Sequence, residues 1–295
     1  MRYLVTHRTA YQYRHSVSVA EHAVHLTPRS WPHHRCLSHE LRVEPHPASR
    51  VSRLDYFGNH VLLVAIQEPH QEFEVEARSE VQIDGNARPW PGSAPSWNAV
   101  AEAIPRDRTP GALEAYQFVF ESPRVRLQAG FAEYAEASFP RGRPLTEALL
   151  DLTARIHEDF RFDSRATDVS TPIEEVFLKR RGVCQDFAHL QIAMLRSLHL
   201  PARYVSGYLR TVPPPGRPRL QGADASHAWL SVYCPGAGWL DTDPTNNMIP
   251  GSGHITVAWG RDYSDVSPVR GIILGSRDHE LKVAVDVEPL EEEEG

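Results

Sequence analysis

The period of the hydrophobic pattern changes once along this 295-residue chain, and that change constrains the possible folds more than any other feature. Within residues 1–83, apolar and polar side chains alternate, as at Phe73 and Val75, which is typical of strands with one buried face. Beyond a stretch rich in proline and glycine, apolar side chains such as Leu152 and Ile156 recur at helical steps of three and four. The chain is therefore predicted to be an α+β protein that begins with an antiparallel β-sandwich or small barrel.

Four segments follow from this pattern. Residues 1–83 are expected to form a β-domain, and residues 111–287 a second unit in which helices precede strands. Residues 84–110 are rich in Pro, Gly, Ala and Ser, and their two tryptophans predict a connection that is packed rather than free. Residues 288–295 form an acidic tail that is expected to fray. Two folded units also agree with the chain length, because single domains average roughly 150 residues.

A tight turn is predicted in the N-terminal half. The segment Asp55–Asn59 precedes the apolar run Val61–Ile66. Gly58 and Asn59 both tolerate the positive φ angles that a tight reversal requires. The chain is therefore expected to reverse direction at these two residues.

The second unit shows helix boundaries and then strands. Thr171 and Pro172 combine an N-cap with a proline at the first helical position, and the short helix that they start can end at Gly182. A second helix is predicted from Cys184 to Leu200, because apolar side chains recur on one face until Pro201 stops it. Strands are expected after it at residues 202–209, 227–233, 238–243 and 281–287.

Charge and hydropathy exclude several functional classes. The 31 Lys and Arg residues against 38 Asp and Glu give a formal charge of −7, and no segment concentrates basic with aromatic side chains, which argues against nucleic acid as a partner. No run of about 18 uncharged apolar residues exists, and the N-terminus turns polar before a signal-like stretch can form, so no membrane association is expected. Three cysteines are too few for a disulfide framework, which agrees with a cytoplasmic location.

Cys184 is the first candidate for chemistry. It follows Arg181-Gly182-Val183 and opens a predicted helix, so its sulfur should lie beside unpaired backbone N–H groups at the positive end of the helix dipole. That position favours the thiolate, which is the nucleophilic form of cysteine. Free cysteines are also often buried for packing alone, and Cys36 and Cys234, which lack this setting, are interpreted as structural.

His227 and Asp243 are candidates for a general base and its orienting group. The two strands that carry them are expected to form a hairpin in which Tyr233 opposes Ala237. In that register His227 stands opposite Asp243, so the imidazole can donate to the carboxylate and keep its other nitrogen free for a thiol proton. An edge histidine and an aspartate that only starts a turn are the alternative, but a cysteine at a helix start upstream favours the catalytic interpretation.

Four motifs occur in order in the second half of the chain. They are Arg181–Ala188, Ala202–Tyr208, Ser226–Trp229 and Gly238–Asn246. Together they resemble the core of the transglutaminase-like superfamily. The bacterial branch of that superfamily carries an N-terminal β-domain, which residues 1–83 also resemble, so the resemblance covers most of the chain.

The resemblance implies a papain-like fold, in which a nucleophile helix packs on an antiparallel sheet. It also implies a triad of Cys184, His227 and Asp243. Asp243 rather than Asp241 takes the third place, because it precedes Pro-Thr-Asn. Two departures concern the rim of the site: Ser231 stands where such proteins often have Glu, and Asp241 and its neighbour replace the commoner Gly-Phe.

The reaction that the resemblance implies is acyl transfer or hydrolysis through a thioester, on a peptide, isopeptide or glutamine-type amide of a peptide or protein substrate. Cys184 would attack the carbonyl carbon, His227 would protonate the departing amine, and Asp243 would hold the imidazolium. The backbone N–H of Cys184 is expected to stabilise the oxyanion, with Tyr208 a weaker candidate for a second donor. Hydrolysis is favoured over cross-linking, because no lysine-rich acceptor surface is visible.

Metal binding and simple recognition are the alternatives. Four side chains have the chemistry to bind zinc, namely Cys184, His189, His227 and Cys234. Their spacing argues against a zinc site, since neither Cys-x-x-Cys nor His-Glu-x-x-His occurs, and no calcium-binding loop is present, so no metal or other cofactor is expected. A non-catalytic module that uses the same groove for recognition is the other alternative, and selective alkylation of Cys184 below pH 7 would distinguish an enzyme from it.

Overall fold

The computed structural model describes residues 1–31, 33–84, 90–211, 225–276 and 278–290 of the chain. Its strands are β1 (Arg2–Val17), β2 (Val19–Val24), β3 (His34–Glu44), β4 (Ser49–Leu54), β5 (His60–Ile66), β6 (His70–Ile83), β7 (Arg161–Phe162), β8 (Arg181–Gly182), β9 (Ala202–Leu209), β10 (Ala225–Cys234), β11 (Gly238–Thr242), β12 (His254–Gly260), β13 (Val269–Leu274) and β14 (His279–Leu290). Its helices are α1 (Trp97–Ala103), α2 (Pro110–Tyr116), α3 (Ala129–Glu136), α4 (Leu145–Asp159), α5 (Ile173–Lys179), α6 (Cys184–Ser197) and α7 (Tyr263–Val266). The fold is α+β, and none of the described helices has both the length and the apolar composition of a membrane span.

Two four-stranded antiparallel sheets form the N-terminal part of the molecule, which we call the β unit. Their strand orders are β14-β1-β6-β3 and β13-β2-β5-β4. Between them lies an apolar core that includes Ile66, Phe73 and Val75. The alternating sequence explains this arrangement, because successive side chains of a strand point to opposite faces and only one of these faces is apolar.

The β unit takes two of its strands from the end of the chain. β13 pairs with β2, and β14 pairs with β1 along most of its length. The predicted extent of the second unit, residues 111–287, therefore differs from the structure, because residues 269–290 complete the sheets of the β unit. A period of two identifies a strand but not its partner, so the sequence alone assigns these strands to their chain neighbours. Residues 288–290 of the predicted tail continue β14, and residues 291–295 lie outside the described residues.

The predicted connection, residues 84–110, contains structure of its own. α1 lies within it, and both Trp90 and Trp97 pack against the large core of the second unit. The structure describes this segment except for residues 85–89.

The second unit, which we call the helical unit, packs helices against a sheet of strand order β11-β10-β9-β12. α6 lies across β9 and β10, and eleven of its 14 residues are buried. Arg196 in its last turn is fully buried, and its guanidinium donates to the carbonyl oxygens of Phe120, Ala202 and Arg261. These hydrogen bonds compensate the buried charge and fix α6 on the sheet.

The boundaries of α5 differ from the prediction. Pro172 precedes the first helical residue, and Thr171 does not cap the helix, because its hydroxyl accepts a hydrogen bond from the backbone N–H of Asp168 at 3.0 Å. The helix ends where Arg180 adopts a left-handed φ of 53°, two residues before Gly182. A competing loop hydrogen bond therefore overrides the capping signal.

The two units are joined at the predicted turn. Gly58 has the expected positive φ of 72°, whereas Asn59 does not. Asn59 is instead fully buried: its amide donates to Asp55 at 2.8 Å and to the carbonyl of Trp259 in β12 at 2.9 Å, and its oxygen accepts from the Trp259 N–H at 3.0 Å and from Arg29 at 2.6 Å. Asn59, which the sequence predicts as a turn residue, thus connects the β unit to the sheet of the helical unit through hydrogen bonds.

Candidate active site

Cys184 occupies the first position of α6, as predicted, and its side chain is half-buried. The helix start is fixed by Asp186, whose Oδ2 accepts from the Val183 N–H at 2.8 Å and from the Thr167 hydroxyl at 2.6 Å. A Cβ atom at Gly182 would lie 2.6 Å from that same oxygen, so the glycine is required for this close approach. The sulfur of Cys184 therefore has a defined position at the positive end of the helix.

His227 and Asp243 are in direct contact, but the predicted register is wrong. β10 and β11 pair so that Cys234 opposes Gly238 and Ser231 opposes Asp241, a shift of two residues from the expected alignment. Gly236 and Gly238 both have positive φ, which allows a three-residue loop between the strands. Because side chains alternate with a period of two, the shift keeps each residue on its expected face.

Asp243 reaches His227 from beyond the strand rather than from within it. β11 ends at Thr242, and the backbone of Asp243 then exchanges two hydrogen bonds with Met248, at 2.9 and 3.2 Å. The Oδ2 of Asp243 lies 2.7 Å from Nε2 of His227. The short loop between Asp243 and Met248, not the strand ladder, therefore positions the carboxylate.

Asp243 is fully buried and every partner it has stabilises its charge. Its Oδ1 accepts from the backbone N–H groups of Thr245 and Asn246 at 2.9 and 3.2 Å, and its Oδ2 also accepts from the Asn246 amide at 2.7 Å and faces Nε2 of His254 at 3.2 Å. Burial opposes ionisation, but the hydrogen bonds from His227, His254 and Asn246 outweigh it and hold the pKa of Asp243 well below its usual range.

His227 bridges Asp243 and Cys184. Its Nε2 is engaged by the carboxylate, and the side chain is also hydrogen-bonded to the Cys184 sulfur, which leaves Nδ1 as the nitrogen that faces the thiol. Burial lowers the pKa of His227, but the hydrogen bonds and charges of Asp243 and Cys184 raise it to about 10. The three residues named from the sequence are thus brought together in an arrangement that favours an imidazolium.

His254 is a member of the site that the sequence did not reveal. It lies at the start of β12, is buried, and packs its ring edge-on against Trp229 at 5.2 Å between centroids. The apolar run that follows it could have identified the strand. Nothing in the local sequence indicates that the strand start meets Asp243, because β12 pairs with β9 and not with its chain neighbours.

Tyr208 does not occupy the position suggested for a second oxyanion donor. Its buried ring lies 5.5 Å from the ring of His7, and it is not among the residues that line the cleft at Cys184. Tyr204, on the same face of β9, does line that cleft. Burial and the neighbouring Cys184 raise the pKa of Tyr204, so its hydroxyl keeps its proton at neutral pH.

Asp241 pairs with Ser231 across the strands, and the Ser231 hydroxyl donates to its carboxylate. Ser231 and Asp241, which both depart from the motifs of the family that the sequence resembles, therefore contact each other.

A cleft of about 460 Å³ opens at Cys184 and His227. One wall comes from the helical unit and includes Tyr204 and Ser206, whereas the opposite wall comes from β1, β13 and β14 of the β unit. The site therefore lies where the two units meet, which is a common location for ligand-binding clefts.

Among the described residues, one group could hold a metal ion. The Nε2 atoms of His227 and His254 and a carboxylate oxygen of Asp243 lie within 4.8 Å of one another. The same atoms already face one another at hydrogen-bonding distances, so protons satisfy the arrangement. Of the zinc candidates from the sequence, His189 instead accepts from the Tyr263 N–H, and Cys234 is buried at the far end of β10.

Comparison with known families gives two matches. Residues 3–82 match the bacterial transglutaminase-like N-terminal region. Residues 133–244 match the transglutaminase-like superfamily, and this range contains Cys184, His227 and Asp243.

Individual relatives agree with these matches. A protein of Mycobacterium tuberculosis described as uncharacterized is 43% identical over 297 residues, which cover 98% of this chain and 93% of that protein. The protein-glutamine gamma-glutamyltransferase of Pseudomonas aeruginosa is 32% identical over 132 residues, which are 44% of this chain and 19% of that protein. A solved structure of a candidate cysteine protease from Cytophaga hutchinsonii superposes with a TM-score of 0.74 at 20% identity and covers 99% of this chain and 92% of its own, which confirms the fold.

Proposed function

Because the chain belongs to the transglutaminase-like superfamily, we propose that it is a cysteine-dependent enzyme that hydrolyses or transfers the acyl group of peptide, isopeptide or glutamine-type amides through a thioester. The observation that carries this proposal is the pairing of His227 with both Cys184 and the buried Asp243. In that arrangement one imidazole can exchange a proton with the sulfur while a fixed carboxylate holds the ring.

The first half of the reaction forms the thioester. The Cys184 thiolate attacks the amide carbonyl carbon, and the carbonyl oxygen becomes an oxyanion that the backbone N–H of Cys184 can stabilise. The C–N bond then breaks, and the departing amine or ammonia takes the proton from Nδ1 of His227. Asp243 stabilises the imidazolium until that transfer, because its own carboxylate stays ionised.

The second half releases the acyl group. Water attacks the thioester carbon and gives its proton to the now neutral His227, and the C–S bond breaks to return the thiolate. An amine in place of water would yield a new amide by the same steps. We propose hydrolysis as the main reaction, because water is always available and no lysine-rich acceptor surface is evident in the sequence.

The test separates an enzyme from a binding module and hydrolysis from transfer. The protein is incubated with casein and with glutamine-containing peptides, with and without a primary amine, and cleaved, deamidated and amine-linked products are identified by mass spectrometry. We expect cleaved or deamidated products, and none from Cys184→Ala. Predominantly amine-linked products would overturn the preference for hydrolysis.

The matched control uses another half-buried cysteine. Cys36→Ala should keep full activity, because Cys36 lies in β3 of the β unit with its sulfur hydrogen-bonded to the Ser38 carbonyl. Iodoacetamide below pH 7 should label Cys184 faster than Cys36. Equal labelling of the two, together with no product from any substrate, would favour the binding module instead.

A further inference from the structure

One face of the β1–β14 pair continues beyond the core of the helical unit and becomes a wall of the cleft. The strand register places His7 beside Val285, Thr9 beside Val283 and Tyr11 beside Leu281. All six residues line the cleft that contains Cys184 and His227. We call this surface the β wall (His7, Thr9, Tyr11, Leu281, Val283 and Val285).

The β14 residues of the β wall are aliphatic but only partly covered. Towards the chain end of β14, Val285 and Val287 are buried in the core of the helical unit. Two and four residues earlier on the same face, Val283 is 51% exposed and Leu281 is 49% exposed. The apolar face of β14 therefore extends beyond its buried part by two residues, Val283 and Leu281. Both of them line the cleft.

Apart from Cys184 and His227, the described lining of the cleft is uncharged. Among the described residues that line it there is no Asp, Glu, Lys or Arg. His7 is buried and burial lowers its pKa to about 4, so it is neutral at neutral pH. Its Nε2 lies 2.8 Å from the Thr9 hydroxyl, and its Nδ1 is buried with no hydrogen-bond partner among the described residues.

This absence of charge is specific to one face of the strands. On the opposite face of the same sheet the cleft-lining residues alternate with Arg8, Glu280 and Lys282, and Arg8 forms an ion pair with Glu74 of β6. The charged residues of β1 and β14 nearest to the cleft therefore point away from it.

Building on the function proposed above, we propose that the β wall binds the acyl-donor segment of the substrate and selects aliphatic, uncharged side chains next to the reacting amide. Continuity identifies this occupant, since an amide that reaches the sulfur of Cys184 must extend its flanking residues into the same cleft. An aliphatic side chain on Leu281 and Val283 removes their exposed surface from water, whereas a charged one loses its hydration and finds no counter-charge on the β wall.

The test measures binding separately from catalysis. Fluorescein-labelled five-residue peptides with a central glutamine, flanked by leucine, glutamate or lysine, are titrated into the Cys184→Ala protein and followed by anisotropy. We expect the leucine peptide to bind at least about tenfold more tightly than either charged peptide.

Two neighbouring variants of β14 provide the contrast. Val283→Glu places a charge in the wall and should weaken the leucine peptide at least about tenfold while favouring the lysine peptide. Lys282→Glu, one residue away on the opposite face, should leave all three affinities unchanged. In the otherwise wild-type protein, iodoacetamide should still label Cys184 faster than Cys36 in both variants, which shows that the nucleophile is intact.

The outcomes separate this proposal from the proposed function. Reactive Cys184 with equal affinity for all three peptides would overturn the role of the β wall and leave the enzyme activity standing. The expected preference with an unreactive Cys184 would overturn the enzyme and support the wall as a recognition surface. If no peptide binds and Val283→Glu instead dissociates a dimer in sedimentation, the wall contacts a second copy of the chain and the proposal is wrong.

Discussion

Two histidines line opposite walls of one cleft, and they carry different charges. His7 in the β wall is 1% exposed, and burial lowers its pKa to about 4. His227 in the helical unit is 8% exposed, and burial acts against its charge too, yet its hydrogen bonds and charge contacts with Asp243 and Cys184 raise its pKa to about 10. Burial by itself therefore does not set the charge of a histidine in this cleft, whereas a buried carboxylate partner does.

The same contrast separates the two units. In the helical unit, the fully buried carboxylate of Asp243 takes part in five hydrogen-bonding contacts, and one of them is to the ring of His227. The described lining that the β unit contributes is uncharged and includes the aliphatic side chains of Val269, Leu281, Val283 and Val285. The proposals above place the chemistry in one wall and recognition in the other, and four measurements test that division.

Replacing Asp243 by Asn should have the largest effect, because it removes the difference between the two histidines. We expect kcat/KM to fall by about 10⁴-fold, as happens when the orienting carboxylate of a triad is lost. The pKa of His227, followed by NMR of its imidazole protons, should fall well below its wild-type value of about 10, because only the contact with Cys184 then opposes the effect of burial.

The control for that change is Asp241→Asn. Asp241 accepts from the Ser231 hydroxyl across the strand pair, so its neutral variant should retain activity close to wild type. A greater loss from Asp241→Asn than from Asp243→Asn would show that the wrong carboxylate has been assigned to the imidazole.

The second largest effect is expected at Asn59, which connects the β unit to β12 of the helical unit. Asn59→Ala removes hydrogen bonds to Arg29, Asp55 and Trp259 at a fully buried position, so we expect the free energy of unfolding to fall by about 2 to 3 kcal/mol. Urea denaturation would measure it. Asn98→Ala is the matched control, since Asn98 makes one exposed hydrogen bond to the Gly142 N–H and should lose less than about 1 kcal/mol. Similar losses of unfolding free energy in both variants would mean that Asn59 does not hold the two units together.

A smaller effect is expected at His254, which touches the carboxylate but not the cleft. His254→Phe keeps the aromatic packing on Trp229 but removes the donor to Asp243, and should lower kcat/KM about tenfold. His254→Gln keeps a donor and should recover most of that loss. If both variants lose the same activity, the residue acts through packing rather than by positioning Asp243.

The sequence identifies the three candidate site residues because each has a local signal. Cys184 opens a helix, His227 lies in a strand, and Asp243 directly follows the next strand. The predicted register of β10 and β11 is wrong by two residues, but an even shift keeps each side chain on the same face of the sheet. Periodicity likewise predicts the β-sheet N-terminal half and the helices and strands of the second half.

What the sequence does not reveal depends on pairings between distant parts of the chain. β14 joins β1 across almost the whole sequence, so neither the β wall nor the true extent of the β unit has a local signature. His254 reaches Asp243 only because β12 pairs with β9. The period of the hydrophobic pattern predicts which face of a helix or strand is buried. Which other element covers that face depends on the rest of the fold.

The smallest effect is expected from pH, and it distinguishes the two histidines directly. Departure of the amine needs a protonated His227, and a pKa raised to about 10 keeps that proton through neutral pH and loses it only above. Wild-type kcat/KM should therefore fall about twofold at pH 10 relative to pH 8, and roughly tenfold for each further pH unit. His7, whose pKa is lowered to about 4, is neutral over this whole range, so His7→Gln should leave the midpoint of the alkaline limb unchanged. An alkaline limb that moves in His7→Gln, or that begins near pH 7 in the wild type, would show that Asp243 does not hold the charge on His227 and that the two walls differ less than the structure indicates.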